Sequence, residues 1–233
     1  MKFITRGYNN IRLEQACGTV IKTSTNAKLK DEINYLRGIA DLSEPYLELL
    51  FPRLVGYQSS VEPYQLELEF YPYKNLGNYL TDTNDRGEMF WHDVLNLLFA
   101  TIERMQRTTL PLDRALFEKY CHSMFVEKTL REYKNLKRNF PFFSSLAEIK
   151  TLDINGTLCL NFEWVWDAVL KKIHRAIEDE KSFNVIHGDM CFSNILLGED
   201  VVTNTKAIKL IDPRGSFGAQ GVYGTSLYDY AKL

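Results

Sequence analysis

Apolar residues recur along this chain with two different periods. Between residues 88 and 108 they return every three or four positions. Trp91, Val94, Leu95, Leu98, Ile102 and Met105 make one stripe, the mark of a helix with one buried face. Leu29, Ile33, Leu36 and Ile39 repeat the pattern, with Glu32 and Tyr35 beside the stripe. A long helix is expected over 113–139, carrying Phe117, Tyr120, Met124, Leu130, Tyr133 and Leu136, and another over 164–177, with Val165, Val169, Ile173 and Ile177. Elsewhere the period is two or the runs are short. Leu66, Leu68 and Phe70 alternate with Gln65, Glu67 and Glu69, which predicts a strand. Residues 3–4, 11–13, 19–22 and 51–57 read as further strands, joined in part by the turn Gly7-Tyr8-Asn9-Asn10. Asn155-Gly156 between apolar neighbours predicts a small hairpin over 152–161. Three short runs, 184–186, 195–197 and 207–211, lie near the C-terminal end. Strands early and helices later point to an α+β protein.

Composition narrows the class. The 233 residues are 45% hydrophobic and 25% charged, as in ordinary globular proteins, and suffice for one or two domains. A formal net charge of −2 gives no overall attraction to nucleic acid or anionic lipid. Lys128, Arg131, Lys134, Lys137 and Arg138 crowd one helix end, where positive charge complements the helix dipole. No apolar run approaches the length of a membrane span, and MKFITRGYNN lacks the apolar centre of a signal peptide. Cys17, Cys121, Cys159 and Cys191 are scattered, without a CxxC pair, as expected of reduced thiols in a cytoplasmic protein.

The candidate chemistry is concentrated in VIHGDMCFSNILLGEDVVTNTKAIKLIDPR, residues 185–214. The first run delivers His187-Gly188-Asp189, Ser193-Asn194 precede the second, and the third ends at Asp212. Loops at strand ends commonly carry reacting groups. A carboxylate at Asp189 can take a proton from an attacking hydroxyl. An amide oxygen and a carboxylate, at Asn194 and Asp212, suit Mg2+, which takes few protein oxygens and fills its shell from phosphate and water. Base plus metal ligands is the phosphoryl-transfer arrangement. His187, Asp189 and Ser193 also raise hydrolase chemistry, but Gly-x-Ser-x-Gly is absent.

Asp189-x4-Asn194, with Asp212 on the next strand pair, has the spacing of the kinase catalytic loop. His-Gly-Asp in place of His-Arg-Asp resembles the aminoglycoside phosphotransferase and choline kinase group of small-molecule kinases, most strongly over 185–232. The resemblance implies a protein-kinase-like two-lobed fold, with a small, mainly β N-terminal nucleotide-binding lobe over residues 1–72 and a larger, mainly α catalytic lobe over 73–233. It implies ATP and Mg2+ as cofactors and a small-molecule hydroxyl as acceptor, with no nucleic-acid or membrane partner. Asp189 would be the base, and Asn194 and Asp212 the metal ligands. Lys22 resembles the strand lysine that meets the nucleotide phosphates, with Glu32 as its ion-pair partner. Glu69 to Tyr71 resemble the hinge against which the base lies. Asp229 resembles the aspartate that braces the catalytic loop, and His187 a packing histidine. Asp212-Pro213-Arg214-Gly215 departs from Asp-Phe-Gly, and Arg214 is a candidate for phosphate or an acidic acceptor. The Tyr-Gly-x-x-x-Tyr-Asp tail resembles phosphotransferase-like proteins of surface-polysaccharide synthesis, which favours a sugar over an amino alcohol. The family continues well past this last helix, so a homo-oligomer or a partner chain covering the C-terminal end is expected, or a catalytically silent nucleotide-binding scaffold as the alternative.

Overall fold

The computed structural model describes residues 9–82, 86–200, 205–219 and 221–233. The expected strand at residues 3–4, and Gly7 and Tyr8 of the first turn, lie outside them. Strand β1 (Asn9–Glu14) pairs antiparallel with β2 (Thr19–Ser24), placing Ile11 opposite Lys22. Helix α1 (Lys28–Asp41) buries Leu29, Ile33, Leu36 and Ile39, and with them Glu32 and Tyr35. A buried acid is costly unless paired, so Glu32 requires a cation. Helix α2 (Pro45–Leu50) is capped by the buried Phe51, and β3 covers Leu54–Gln58 rather than 51–57. Strand β4 (Tyr64–Glu69) turns Tyr64 and Leu66 to the core, as its alternation predicts. The sheet order is β1-β2-β4-β3, so Lys22 lies on an inner strand, facing Leu66 across the β2–β4 pair.

Strand β5 (Lys74–Asn75) leads into α3 (Leu76–Thr81), whose first turn is capped by the Asn75 side chain accepting the Asn78 N–H at 2.8 Å. Helix α4 (Gly87–Met105) buries Val94, Leu98, Ile102 and Met105 completely. The short strand β6 (Thr109–Pro111) follows.

The helix expected over 113–139 is interrupted. It consists of α5 (Arg114–Cys121), a π-helical turn (His122–Glu127) and α6 (Lys128–Asn139). The wide turn shifts the phase of the stripe. Phe117 is buried, but Leu130, Tyr133 and Leu136 are not, and α6 buries no residue at all. Helix α7 (Pro141–Ala147) precedes the hairpin of β7 (Thr151–Ile154) and β8 (Thr157–Leu160). Asn155 and Gly156 both take positive φ there, 52° and 82°, as a tight two-residue hairpin turn demands. Helix α8 (Phe162–Asp179) closes this part.

The C-terminal stretch contains β9 (Ser182–Val185), a 3-10 turn (Phe192–Asn194), β10 (Ile195–Asp200), β11 (Thr205–Leu210), β12 (Tyr223–Gly224) and α9 (Leu227–Tyr230). Strands β10 and β11 form an antiparallel hairpin, and β10 also pairs with β5. Val185, Met190, Ile195, Leu197 and Leu210 join the buried faces of α1 and α4 in one apolar cluster. The described residues group into two compact units, one from Met1–Leu110 with Asn184–Leu233, the other Pro111–Phe183. Strand β11 packs against α2, the Lys209 ammonium donating to the Leu49 carbonyl at 2.6 Å. The fold is α+β, with a small β-rich N-terminal region and a larger, mainly helical remainder. Among the described residues no helix is long and apolar enough to cross a membrane.

Candidate active site

The β10–β11 hairpin sets the spacing of two site residues. Ile195 faces Leu210, and the Ile211 N–H donates to the Asn194 carbonyl at 3.0 Å. Asn194 and Asp212 therefore leave adjacent strand ends. The Asn194 amide nitrogen donates to the Asp189 backbone carbonyl at 3.0 Å and approaches Asp189 Oδ2 at 3.3 Å. That network orients the amide with its nitrogen toward Asp189, so Oδ1, which receives the Ser193 hydroxyl at 3.4 Å, is the atom available to a cation.

The turn carrying Asp189 is held from three sides. The Asp229 carboxylate accepts the backbone N–H groups of His187 and Gly188, at 2.7 and 2.8 Å. The His187 ring is fully buried and lies parallel to Phe51, with centroids 6.2 Å apart. Its Nε2 lies 3.0 Å from the Ile211 carbonyl, and Nδ1 accepts the Asp189 N–H at 3.2 Å. These partners assign the neutral tautomer with the proton on Nε2. Burial lowers the ring to about 4, despite the hydrogen bond to Ile211. With both nitrogens bonded to backbone, His187 cannot activate Ser193, which excludes the hydrolase arrangement. Burial also raises Asp229, to about 6, against the pull of its two N–H donors. On the third side, the Tyr35 hydroxyl of α1 donates to the Ile186 carbonyl at 2.9 Å.

Glycine at 188 has a steric cause. Its φ is 76°, and a Cβ there would stand 2.8 Å from Arg214 Cβ. The Arg214 side chain lies over the turn, Nη1 donating to the Tyr228 hydroxyl at 3.3 Å, while its own N–H donates to the His187 carbonyl at 2.9 Å. Gly215 is constrained likewise, since a Cβ there would fall on the Asp31 carbonyl of α1.

Lys22 links these parts. Its Nζ lies 2.6 Å from Glu32 Oε2 and also contacts Asp212. Burial alone would lower the ammonium, but the Glu32 and Asp212 carboxylates outweigh it and hold Lys22 above its ordinary range. Burial pushes the Glu32 carboxyl up while Lys22 draws it down, and burial prevails. Asp212 is half exposed and adopts φ 54°, a left-handed conformation that aspartate tolerates better than most residues. Strand β2, helix α1 and the end of β11 thus converge on one lysine. Glu14, on the neighbouring strand β1, pairs with Arg12 at 2.7 Å on the surface.

At the expected hinge the picture is less open. The Glu69 N–H donates to the Arg53 carbonyl at 3.0 Å, and the Phe70 N–H to the Gly18 carbonyl at 2.9 Å. Both are spent within the sheet. The side chains of Glu69 and Tyr71 bond each other at 3.2 Å.

One contact escaped the sequence reading. Lys232 Nζ lies 2.7 Å from Asp189 Oδ1. No spacing rule links these residues, since the pairing depends on how α9 ends. Separately, the helical unit has a cleft of about 580 Å³ lined by Tyr133, Phe162, Trp166, Lys134, Lys137 and Arg138, among others. None of its residues belongs to the Lys22–Asp189–Asp212 group. Among the described residues no three His, Cys, Asp or Glu side chains cluster as a metal centre. The donors that do fit a cation, Asn194 Oδ1 and the Asp212 carboxylate, are hard oxygens suited to Mg2+ completed by phosphate and water.

No family model and no curated protein sequence matches the chain. Solved structures share its fold, two of them as follows. One is described as the GDP and kanamycin complex of APH(2")-IIia, with a TM-score of 0.58, 16% identity, and 100% of this chain covered against 71% of that chain. The other is aminoglycoside phosphotransferase APH(3'')-Id from Streptomyces rimosus ATCC10970, with a TM-score of 0.50, 14% identity, and 99% of this chain covered against 74% of that chain. The chain has the kinase-like two-lobed fold of these aminoglycoside phosphotransferases.

Proposed function

We propose that this protein is a cytoplasmic, nucleotide- and Mg2+-dependent phosphotransferase acting on a hydroxyl of a small molecule. The observation that supports it most is the convergence of Lys22, Glu32 and Asp212 beside the Asp189–Asn194 turn. Lys22, steadied by Glu32, offers a fixed cation to nucleotide phosphates. Asn194 and Asp212 would hold Mg2+, which when bound neutralises charge on those phosphates. Asp189 stands as the base, its carboxylate about a third exposed and oriented by Asn194. Such a transfer asks chiefly for positioning, and this site is heavily braced. In this reading residues 1–72 form the nucleotide lobe and 73–233 the catalytic lobe. The base of the nucleotide would lie against the stretch from Glu69 to Tyr71.

The neighbour described with GDP makes guanine nucleotides candidates beside ATP. The kanamycin in that complex is an amino sugar, and the tail after Asp212 favours a sugar hydroxyl, including one in surface-polysaccharide synthesis. The test is thermal melting with Mg2+ and ATP, GTP or ADP, followed by an acceptor screen over sugars and amino sugars. A ligand at a hundred times its Kd adds about 2.7 kcal/mol, enough to read as a shifted Tm. A Mg-dependent shift with transfer to an acceptor supports the reading. No shift with any nucleotide overturns it, and a shift without ADP formation from any acceptor or water favours the silent scaffold.

A further inference from the structure

Resting on the phosphotransferase reading, we propose that Lys232 is a positioning residue for the Asp189 base. Each oxygen of that carboxylate has its own neighbour. Oδ2 faces the Asn194 amide nitrogen at 3.3 Å, and Oδ1 faces Lys232 Nζ at 2.7 Å. The two contacts come from opposite chain directions and fix the carboxylate plane between them.

A single residue, Asp229, aligns both partners of this ion pair. Its side chain accepts the N–H groups of His187 and Gly188, which set the turn into Asp189. Its backbone carbonyl accepts the N–H groups of Lys232 and Leu233, at 3.1 and 3.3 Å. The base and the lysine are therefore referenced to the same residue. Helix α9 is itself tied to α4, where the Gln106 amide donates to the Ser226 carbonyl at 2.6 Å and Phe99 packs on Tyr230 with centroids 6.0 Å apart.

Stability does not explain the pair. Both side chains are 36% exposed, and ion pairs this open contribute little to folding. A base, by contrast, gains from a fixed carboxylate, because misplacement of a reacting group slows transfer steeply. In the step it serves, the acceptor O–H bond breaks and its proton passes to Asp189. The acceptor oxygen bonds the γ-phosphorus as the bond from that phosphorus to the nucleoside diphosphate breaks. Lys232 keeps the carboxylate turned to receive that proton and forms no bond to the substrate.

The experiment uses the full chain as wild type, Lys232→Met and Lys232→Arg, with phosphate release from Mg-ATP and Mg-GTP as the assay and water standing in for the acceptor. Lys232→Met is expected to lower kcat at least tenfold, with KM for the nucleotide within about twofold and Tm unchanged, and Lys232→Arg to restore most of the rate. An unchanged kcat in Lys232→Met overturns the proposal. So does an equal loss in both variants with a lowered Tm, which marks packing. Crystal structures of wild type and Lys232→Met give a readout independent of turnover. The Asp189 carboxylate is expected to leave its Asn194 contact in the variant, and an unmoved carboxylate overturns the positioning role. A wild type that binds Mg-nucleotide but releases no phosphate, and transfers to no acceptor, defeats the phosphotransferase reading instead. The crystallographic comparison still decides what Lys232 does.

Discussion

The Asp229 carboxylate accepts the His187 backbone N–H at 2.7 Å, and through the same group the Gly188 N–H at 2.8 Å. Both donors are buried in a turn whose N–H groups point inward to this one side chain. Asp229→Ala leaves two orphaned donors, each costing about 1–3 kcal/mol. The expected outcome in urea unfolding is a loss of a few kcal/mol. Asp229→Asn is expected to fall between, since its amide oxygen can still serve one donor. A wild-type midpoint in Asp229→Ala would show that the clamp carries no load.

Glu32 steers Lys22, and the direction of its effect can be measured. In Glu32→Gln the lysine keeps one carboxylate, Asp212, and is drawn onto the residue assigned to the cation. Mg-nucleotide Kd by calorimetry should rise tenfold or more, about 1.4 kcal/mol. Kd without Mg2+ should change less. Equal effects with and without the metal would point to general damage in α1.

Asp212 is better tested by asparagine than by alanine. At φ 54° alanine adds backbone strain to the loss of charge, of order 1 kcal/mol, whereas asparagine tolerates this conformation. Asp212→Asn should keep the wild-type Tm and lose the Mg-dependent part of nucleotide binding. Asp212→Ala should lose both. If Asp212→Asn binds Mg-nucleotide normally, the assignment of this carboxylate to the cation fails.

The His187 ring predicts a pH dependence of stability. Its folded value, about 4, lies below its ordinary 6.5, so between these the unfolded chain binds a proton that the fold excludes. The contribution of the neutral ring is therefore complete above about pH 6.5 and is lost as pH falls toward 4. Asp229 has the opposite sign. Raised from 3.8 to about 6, it destabilises the fold as pH rises through that interval. Comparing wild type with His187→Gln isolates the ring, and the wild-type advantage should shrink from pH 6.5 to 4. A constant gap would mean that His187 titrates normally.

Gly188 is expected to resist substitution. Gly188→Ala places a methyl group 2.8 Å from Arg214 Cβ at φ 76° and should cost more than about 1 kcal/mol. Gly188→Ala combined with Arg214→Gly removes the clash and keeps the strain. Partial recovery of Tm in the double variant measures the steric share.

The sequence alone determined what local pattern can encode. Period-two and period-four runs specified β4, α1 and α4, Asn155-Gly156 specified the β7–β8 turn, and the interval from Asp189 to Asn194 marked the candidate site. These depend on residues close together in the chain, where spacing fixes geometry. Tertiary structure decided the rest. The π-helical turn at His122–Glu127 moved Leu130 and Leu136 out of the buried set, because a wide turn rephases a stripe without changing its spacing in sequence. Hydrogen bonds to Arg53 and Gly18 used backbone groups of the expected hinge, through pairings that no local pattern predicts. Lys22 meets Asp212, and Lys232 meets Asp189, across gaps that only packing closes. Charge partners separated in sequence are chosen by burial: Glu32 faces the core and must find a cation, and the fold places one there.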